Sequence, residues 1–536
     1  MKTAILSSAL VAGAACAPQR PGHGRLGHGW PDHGLHGKGD GLSIQTSSGL
    51  VHGFVNSTAP AVRQFLGVPY AEPPVGSLRF APPVRKASAG AVDATSWAPS
   101  CMQQVGSGKT IYTEVVPQFL INGGQLEDCL YLNIWAPAVA ACEKEKLPVF
   151  VYVPGGGFTS GGADSVYKIP DKWIQRTQSH IVVVMNYRVN VFGFPNAKAL
   201  DSRNVGLLDQ RMVVEWTRDN IAAFGGDPER ITFWGQSAGG ASTSLYAYAW
   251  ASDPIITGSI SDSGVAGVAG GGDIAQTNFT SLAGLVGCGD SASDEAEIAC
   301  VRGVDAVTLE KTLSSYINAD VGPKLSFTPV PDGITVFSNY SDRAVKGLVA
   351  KIDLTQTRVP ASYRSRLTDL VQRLCRTSQT MLLPAQSQKK SCTSQYFSAA
   401  IYGINQSLTK FLSNRVTHNI DPTYRYQYAG NFSNVSPLPW MGAYHSSELP
   451  LIFGTHYEFR GNSTEYEYEV SHFLEALWLS FASNPSAAPT APLPAGGSFV
   501  WPDSETSTDS LVRFANGNEL VAKSSDQVID KACGLA

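Results

Sequence analysis

The chain has 536 residues, 43% of them hydrophobic, enough to bury a large core, and one elaborated α/β domain is a simpler reading than several small ones. Forty basic residues against 44 acidic ones leave a formal net charge of -4. That balance lacks the broad positive field that nucleic acid or an anionic membrane requires, and it points to a small neutral partner.

Met1-Lys2 followed by apolar residues 4–15, with small residues at Ala12, Ala14, Ala15 and Ala17, has the three parts of a secretory signal peptide. Residues 1–17 are therefore read as a leader and the protein as extracellular. Residues 18–41 are rich in Gly and His and too poor in apolar side chains to fold alone, which makes them a flexible linker. The spacing of His23, His28, His33 and His36 fits no closed metal site, so neither a metal nor another cofactor is expected.

Short β-rich pieces at 50–55 and 130–135 precede three apolar runs at 147–153, 181–186 and 231–234. Helical patterning such as that of 208–223, ended by Gly225-Gly226-Asp227-Pro228, lies between them. Strands alternating with helices predict an α/β fold with a mostly parallel central sheet and helices on both faces. The uncharged stretch 231–252 holds too much Gly and Ser to span a bilayer, so no stable anchor is expected and any contact with a lipid interface is transient. Pro, Ala and Gly in 485–497 mark a surface loop.

Gly235-Gln236-Ser237-Ala238-Gly239 follows the run 231–234 directly and opens a helical stretch, the context that turns G-x-S-x-G into a nucleophile elbow. A turn that sharp needs glycines beside it and would leave the Ser237 hydroxyl exposed. Attack on a carbonyl develops charge on its oxygen, which backbone N–H groups can bind. One such donor is expected at Ala238, and the triple glycine after the run 147–153 supplies Gly156 and Gly157 as the others.

Nine cysteines in an exported chain suggest disulfides, and loss of Cys16 with the leader leaves eight. Short separations favour Cys101 with Cys129 and Cys288 with Cys300, whereas Cys142, Cys375, Cys392 and Cys533 remain to pair by elimination. Asn56, Asn278, Asn339, Asn405, Asn431, Asn434 and Asn462 each begin an Asn-x-Ser/Thr site, in keeping with a glycosylating secretory route.

The chain resembles the type-B carboxylesterase/lipase family, which includes cholinesterases and secreted fungal lipases. The resemblance is carried by Phe65-Leu-Gly-Val-Pro-Tyr-Ala-Glu72-Pro-Pro-Val-Gly76, Glu127-Asp128-Cys129-Leu-Tyr-Leu-Asn133, Gly155-Gly156-Gly157-Phe158, Asn186-Tyr187-Arg188, Asn204-Val-Gly-Leu-Leu-Asp209-Gln210 and Phe224-Gly-Gly-Asp-Pro228. It implies a single α/β-hydrolase domain over 42–536, a Ser-acid-His triad, and a flap closed by Cys101 and Cys129 whose residues 111–112 and 117–121 offer an apolar underside to an acyl chain. The residues alone do not rank His445 above His180, His418, His456 or His472. The family's Gly-x-x-His-x-x-Glu pattern does, through Gly442-Ala-Tyr-His445-Ser-Ser-Glu448, and it makes His445 the general base.

The family's acid-bearing glycine turn is missing after Ile352, where the chain continues as Asp353-Leu-Thr-Gln-Thr-Arg-Val-Pro360. Either a deletion has removed it or another carboxylate, Asp353 or Asp342, takes its place. Gln236 stands where cholinesterases carry Glu, and no tryptophan lies between Cys101 and Cys129 to hold a quaternary ammonium. The resemblance therefore implies hydrolysis of a small neutral carboxylic ester other than a choline ester. The missing acid motif keeps a second expectation open, that of a catalytically impaired relative that serves only in binding.

Overall fold

Three strands of five to eleven residues form the middle of an eleven-stranded sheet, because the apolar run in each can bury both of its faces. In the computed structural model, which describes residues 41–88, 90–138, 145–266, 272–357, 423–503 and 510–525, these are Leu147–Val153, Ile181–Met185 and Gly226–Gln236. Side chains alternate across a strand, so Val149, Val151, Val153, Val183 and Phe233 enter one core cluster while Phe150, Tyr152, Val182, Val184 and Trp234 enter another. Helices Val205–Asn220 and Ala238–Ala249 supply Val213, Val214, Ala241 and Leu245 to the first cluster. On the other face, Asp171–Thr177 and Glu465–Ser483 supply Trp173, Ile174, Leu474, Leu477 and Trp478. The expected helix-covered sheet is thereby found.

From one edge to the other the strands run Glu519–Ser524, Leu511–Asn516, Thr423–Tyr428, Asp353–Thr357, Gly258–Asp262, Gly226–Gln236, Leu147–Val153, Ile181–Met185, Tyr131–Pro137, Val62–Pro69 and Phe54–Val55. The neighbouring pairs from Leu511–Asn516 to Ile181–Met185 are parallel, and those at both edges are antiparallel. Parallel register places the carboxyl ends of the central strands on one side, the usual place for a ligand crevice in such sheets. Two buried ion pairs brace that side: Arg188 with Asp209 at 2.7 Å, and Arg79 with Glu127 at 2.5 Å.

Small departures from the sequence expectations sit at element ends. The β-rich piece 50–55 is divided between Gly49–His52, in a separate three-stranded sheet, and Phe54–Val55 at the edge of the large one. The loop read over 485–497 contains a short strand, Thr490–Pro492, paired with Ser498–Val500. Helices Asn278–Leu285, Asp294–Gly303 and Ala306–Ala319 build a third apolar cluster, tied by the Cys288–Cys300 disulfide. The Cys101–Cys129 bond is formed as well. Cys16, Cys142, Cys375, Cys392, Cys533, Asn405, His418 and the leader and linker over residues 1–40 lie outside the described residues.

Candidate active site

The strand Gly226–Gln236 ends one residue before Ser237, and the helix Ala238–Ala249 begins one residue after it. Ser237 makes the whole reversal, at φ 60° and ψ -120°, a backbone state that a side chain rarely adopts unless its surroundings impose it. They do. Its N–H donates to the Asp262 carbonyl at 2.7 Å, and its carbonyl accepts from Ala241 at 2.9 Å. A side chain on Gly239 would come within 2.1 Å of the Val153 carbonyl oxygen, so the helix packs on the neighbouring strand only without one. The result leaves Ser237 partly exposed beside buried Gln236 and Ala238.

The triple-glycine loop lies directly against this turn, since a Cβ on Gly155 would stand 2.5 Å from the Gln236 carbonyl and 3.0 Å from Ser237 Cβ. Gly156 and Gly157 have φ of 129° and 64°, and the Gly156 carbonyl accepts from Thr159 and Ser160 at 3.1 and 3.0 Å. That turn leaves the loop's own amides unused: among the described residues, the N–H groups of Gly156 and Gly157 donate to no acceptor. Ala238 is the first residue of its helix, so its N–H has no partner within it.

The structure brings His445 to the same corner. Its ring nitrogens lie 3.1 and 3.4 Å from the side-chain amide of Gln236, the residue before Ser237. Among the described residues no hydrogen bond joins the Ser237 hydroxyl to the ring, and no carboxylate touches it. His445 is half-buried, and desolvation by the protein around the ring pushes its pKa down to about 4. The other described histidines are committed elsewhere. His180 is sealed in the core 4.2 Å from Trp173, and His456 bonds Ser463 at 2.6 Å.

The two residues considered as substitutes are placed away from this corner. Register pairs Thr232 with Gly258 and Gly258 with Asp353, which sets Asp353 level with Thr232, five residues before Ser237. At about 3.3 Å per residue it starts its strand roughly 15 Å short of the carboxyl edge, at the wrong end of the sheet. Asp342 faces solvent and pairs with Lys346 at 2.8 Å.

Two buried acids that sequence reasoning passed over do lie under the site. Asp262 ends the strand next to the one that leads into Ser237, its carboxyl held by the Trp234 indole at 2.5 Å and the Tyr426 hydroxyl at 2.6 Å, and burial raises it to about 7. Burial, and then the charge of Asp262, raise Glu448 to about 8. Its place in the Gly-x-x-His-x-x-Glu pattern was the available signal. Asp262 carried none beyond its position at a strand end.

The loop between Cys101 and Cys129, expected to act as a flap, is closed by its disulfide and touches the histidine segment. Tyr112 packs edge-on against Phe119 at 5.8 Å and Tyr444 at 6.4 Å, and its hydroxyl donates to the His445 carbonyl at 2.6 Å. Of the seven Asn-x-Ser/Thr sites, Asn434 is corrected as a glycan acceptor. Its side chain is 4% exposed, and its amide already donates to the His456 carbonyl and the Ser463 hydroxyl, both at 2.9 Å. Asn339, Asn431 and Asn462 are exposed, and Asn56 and Asn278 are intermediate.

A family model described as the carboxylesterase family matches residues 40–355 and 337–530, two segments that overlap around Ile352, where the acid-bearing motif is missing. A chlorogenic acid esterase of Aspergillus niger is 50% identical over 505 residues, covering 92% of this chain and 94% of its own. Secreted lipase 5 of Gibberella zeae is 39% identical, over 89% of this chain and 91% of its own, and an acetylcholinesterase of Electrophorus electricus is 30% identical, over 82% and 80%. With a match over most of its length and relatives of this identity, the chain belongs to the carboxylesterase family and is a carboxylic ester hydrolase.

Proposed function

We propose that Ser237 is the nucleophile and that hydrolysis passes through an acyl-enzyme on it. The observation that carries this reading is the φ 60°, ψ -120° turn, which costs conformational energy and holds one hydroxyl at the carboxyl edge of the sheet. His445 takes the proton from Ser237 and returns it to the leaving alcohol. The ring is neutral above about pH 4, so it enters the reaction able to accept. Because the Gln236 amide now lies against the ring, the attack requires the ring to turn from it toward the hydroxyl. The amides of Gly156, Gly157 and Ala238 receive the carbonyl oxygen as it gains charge, each contributing about 3–4 kcal/mol in comparable sites.

The substrate we propose is an ester of an aromatic acid, of the chlorogenic acid type. The 50% identical relative carries that name, and the partly exposed rings of Tyr112 and Phe119, backed by buried Tyr167 and Tyr444, give the flap side of His445 an aromatic surface. Chlorogenic acid bears a carboxylate, so this substrate departs from the neutral one that the charge balance suggests. We further propose that residues 42–536 act as one secreted, glycosylated hydrolase unit. The relative named a secreted lipase supports export, and among the described residues no helix is long and apolar enough to cross a membrane.

Purified protein and its Ser237→Ala variant, assayed on chlorogenic acid and on an emulsified triglyceride, test both parts. The expected outcome is higher kcat/KM on chlorogenic acid, with turnover in the variant lower by at least about 10⁴-fold. Equal turnover by the two proteins refutes the nucleophile assignment, and preference for the triglyceride refutes the substrate assignment.

A further inference from the structure

His445 is followed by Ser446 at φ 79°, in the left-handed region that side chains other than glycine rarely occupy. The peptide joining the two residues fixes both that angle and the direction in which the imidazole leaves the backbone. Its carbonyl is the one that Tyr112 holds at 2.6 Å, and among the described residues no other donor reaches it. A strained peptide persists only where neighbouring groups over-determine it.

Tyr112 is itself well placed to do this. It lies on the helix Ile111–Glu114, whose first turn is closed by a reciprocal bond between Thr110 and Thr113. The loop that carries it is fastened by the Cys101–Cys129 disulfide, by Asp164, which accepts from the Asn122 and Gly123 amides, and by Arg460, which donates to Gln118 at 2.6 Å. Phe119 and Tyr444 hold the ring from the sides. A short bond from an anchored donor thus ends on the one peptide that aims the imidazole.

We propose that Tyr112 is a positioning residue for hydrolysis: its hydroxyl holds the His445–Ser446 peptide in the strained state that keeps the ring beside the Ser237 turn, against Gln236, from where it turns to the hydroxyl. The flap is then part of the catalytic apparatus as well as a cover. This inference rests on His445 being the general base. Freed of the bond, the peptide relaxes by rotating, Ser446 leaves the left-handed region, and the ring moves off its line.

The strain supplies a test that a packing role would not pass. Tyr112→Phe keeps the ring and its aromatic contacts but removes the donor, and it should lower kcat about tenfold while KM stays within about twofold. Adding Ser446→Gly makes the left-handed backbone unstrained, so the Y112F/S446G pair should recover kcat to within about threefold of wild type. Ser446→Thr reaches the same device with the Tyr112 hydroxyl intact and should lower kcat by itself, because a β-branched residue tolerates positive φ poorly. Melting temperatures confirm that each variant is folded. Wild-type kcat in Y112F, a loss carried wholly by KM, or a double variant no better than Y112F would each overturn the proposal. His445→Ala, assayed beside them, separates the two levels: full turnover there refutes the base assignment, whereas an inactive H445A beside an unaffected Y112F refutes the role of Tyr112 alone.

Discussion

The two halves of the proposed active site are built on different physical terms. The Ser237 half is held by backbone: a strand end, a helix start, a 2.7 Å bond to Asp262 and a glycine with no room for a side chain. The His445 half is held by side chains from distant parts of the chain, Gln236 on the ring and Tyr112 on the carbonyl. A backbone-built half can fail only by distortion of the fold, while a side-chain-built half can be adjusted residue by residue.

The sharpest way to break the first half is Gly239→Val. A Cβ there meets the Val153 carbonyl at 2.1 Å, so the elbow must separate from the strand beside it. Overpacking of this kind costs about 1–3 kcal/mol or more, and turnover should vanish together with a fall in melting temperature. An active, normally stable G239V protein would show that the close approach has no role.

Removing the disulfide by Cys101→Ser with Cys129→Ser probes the other half through the flap. Urea unfolding should show a loss of about 2–4 kcal/mol, as expected for a bond closing a loop of this size. Because Tyr112 is carried by that loop, kcat should fall as well. A stability loss with unchanged kcat would confine the disulfide to holding the chain together.

The smallest effect sharpens the contrast without breaking either side. With His445 pushed down to about 4, kcat/KM should stay level above about pH 5 and fall as pH drops through 4. Gln236→Glu places a carboxylate beside the ring, which favours the charged imidazole and should move that acid limb up by about one unit. Unmoved limbs would mean that the two side chains do not meet in the working enzyme. The same depression has a stability consequence with a definite sign. Between 6.5 and about 4 the unfolded chain binds the proton that the folded ring refuses, so this group's contribution to stability declines as pH falls through that window.

The contrast also explains what the sequence revealed. The elbow, the glycine loop and the three central strands are local patterns, with residues 147–153 read without error, because glycine spacing and alternating burial are written in consecutive residues. His445 needed the family pattern, since nothing near it in sequence separates it from His180, whose burial against Trp173 is a tertiary fact. Asp262 could not be read at all: its neighbours Trp234 and Tyr426 are 28 and 164 residues away. Asn434 looked like its exposed neighbour Asn431 until packing enclosed it. The place where the family acid would stand follows the strand Asp353–Thr357 at its carboxyl end, beyond the described residues, and Asp353 fails because a strand's start and finish look alike in one dimension.

If one strained residue carries the reactive hydroxyl, a reagent that captures activated serines should find it alone. The protein is treated with a fluorophosphonate ester at neutral pH and mapped by mass spectrometry. A single stoichiometric adduct is expected on Ser237, formed at a rate that falls steeply in His445→Ala. An adduct on another residue, or trapping that proceeds undiminished in Ser237→Ala, would contradict it.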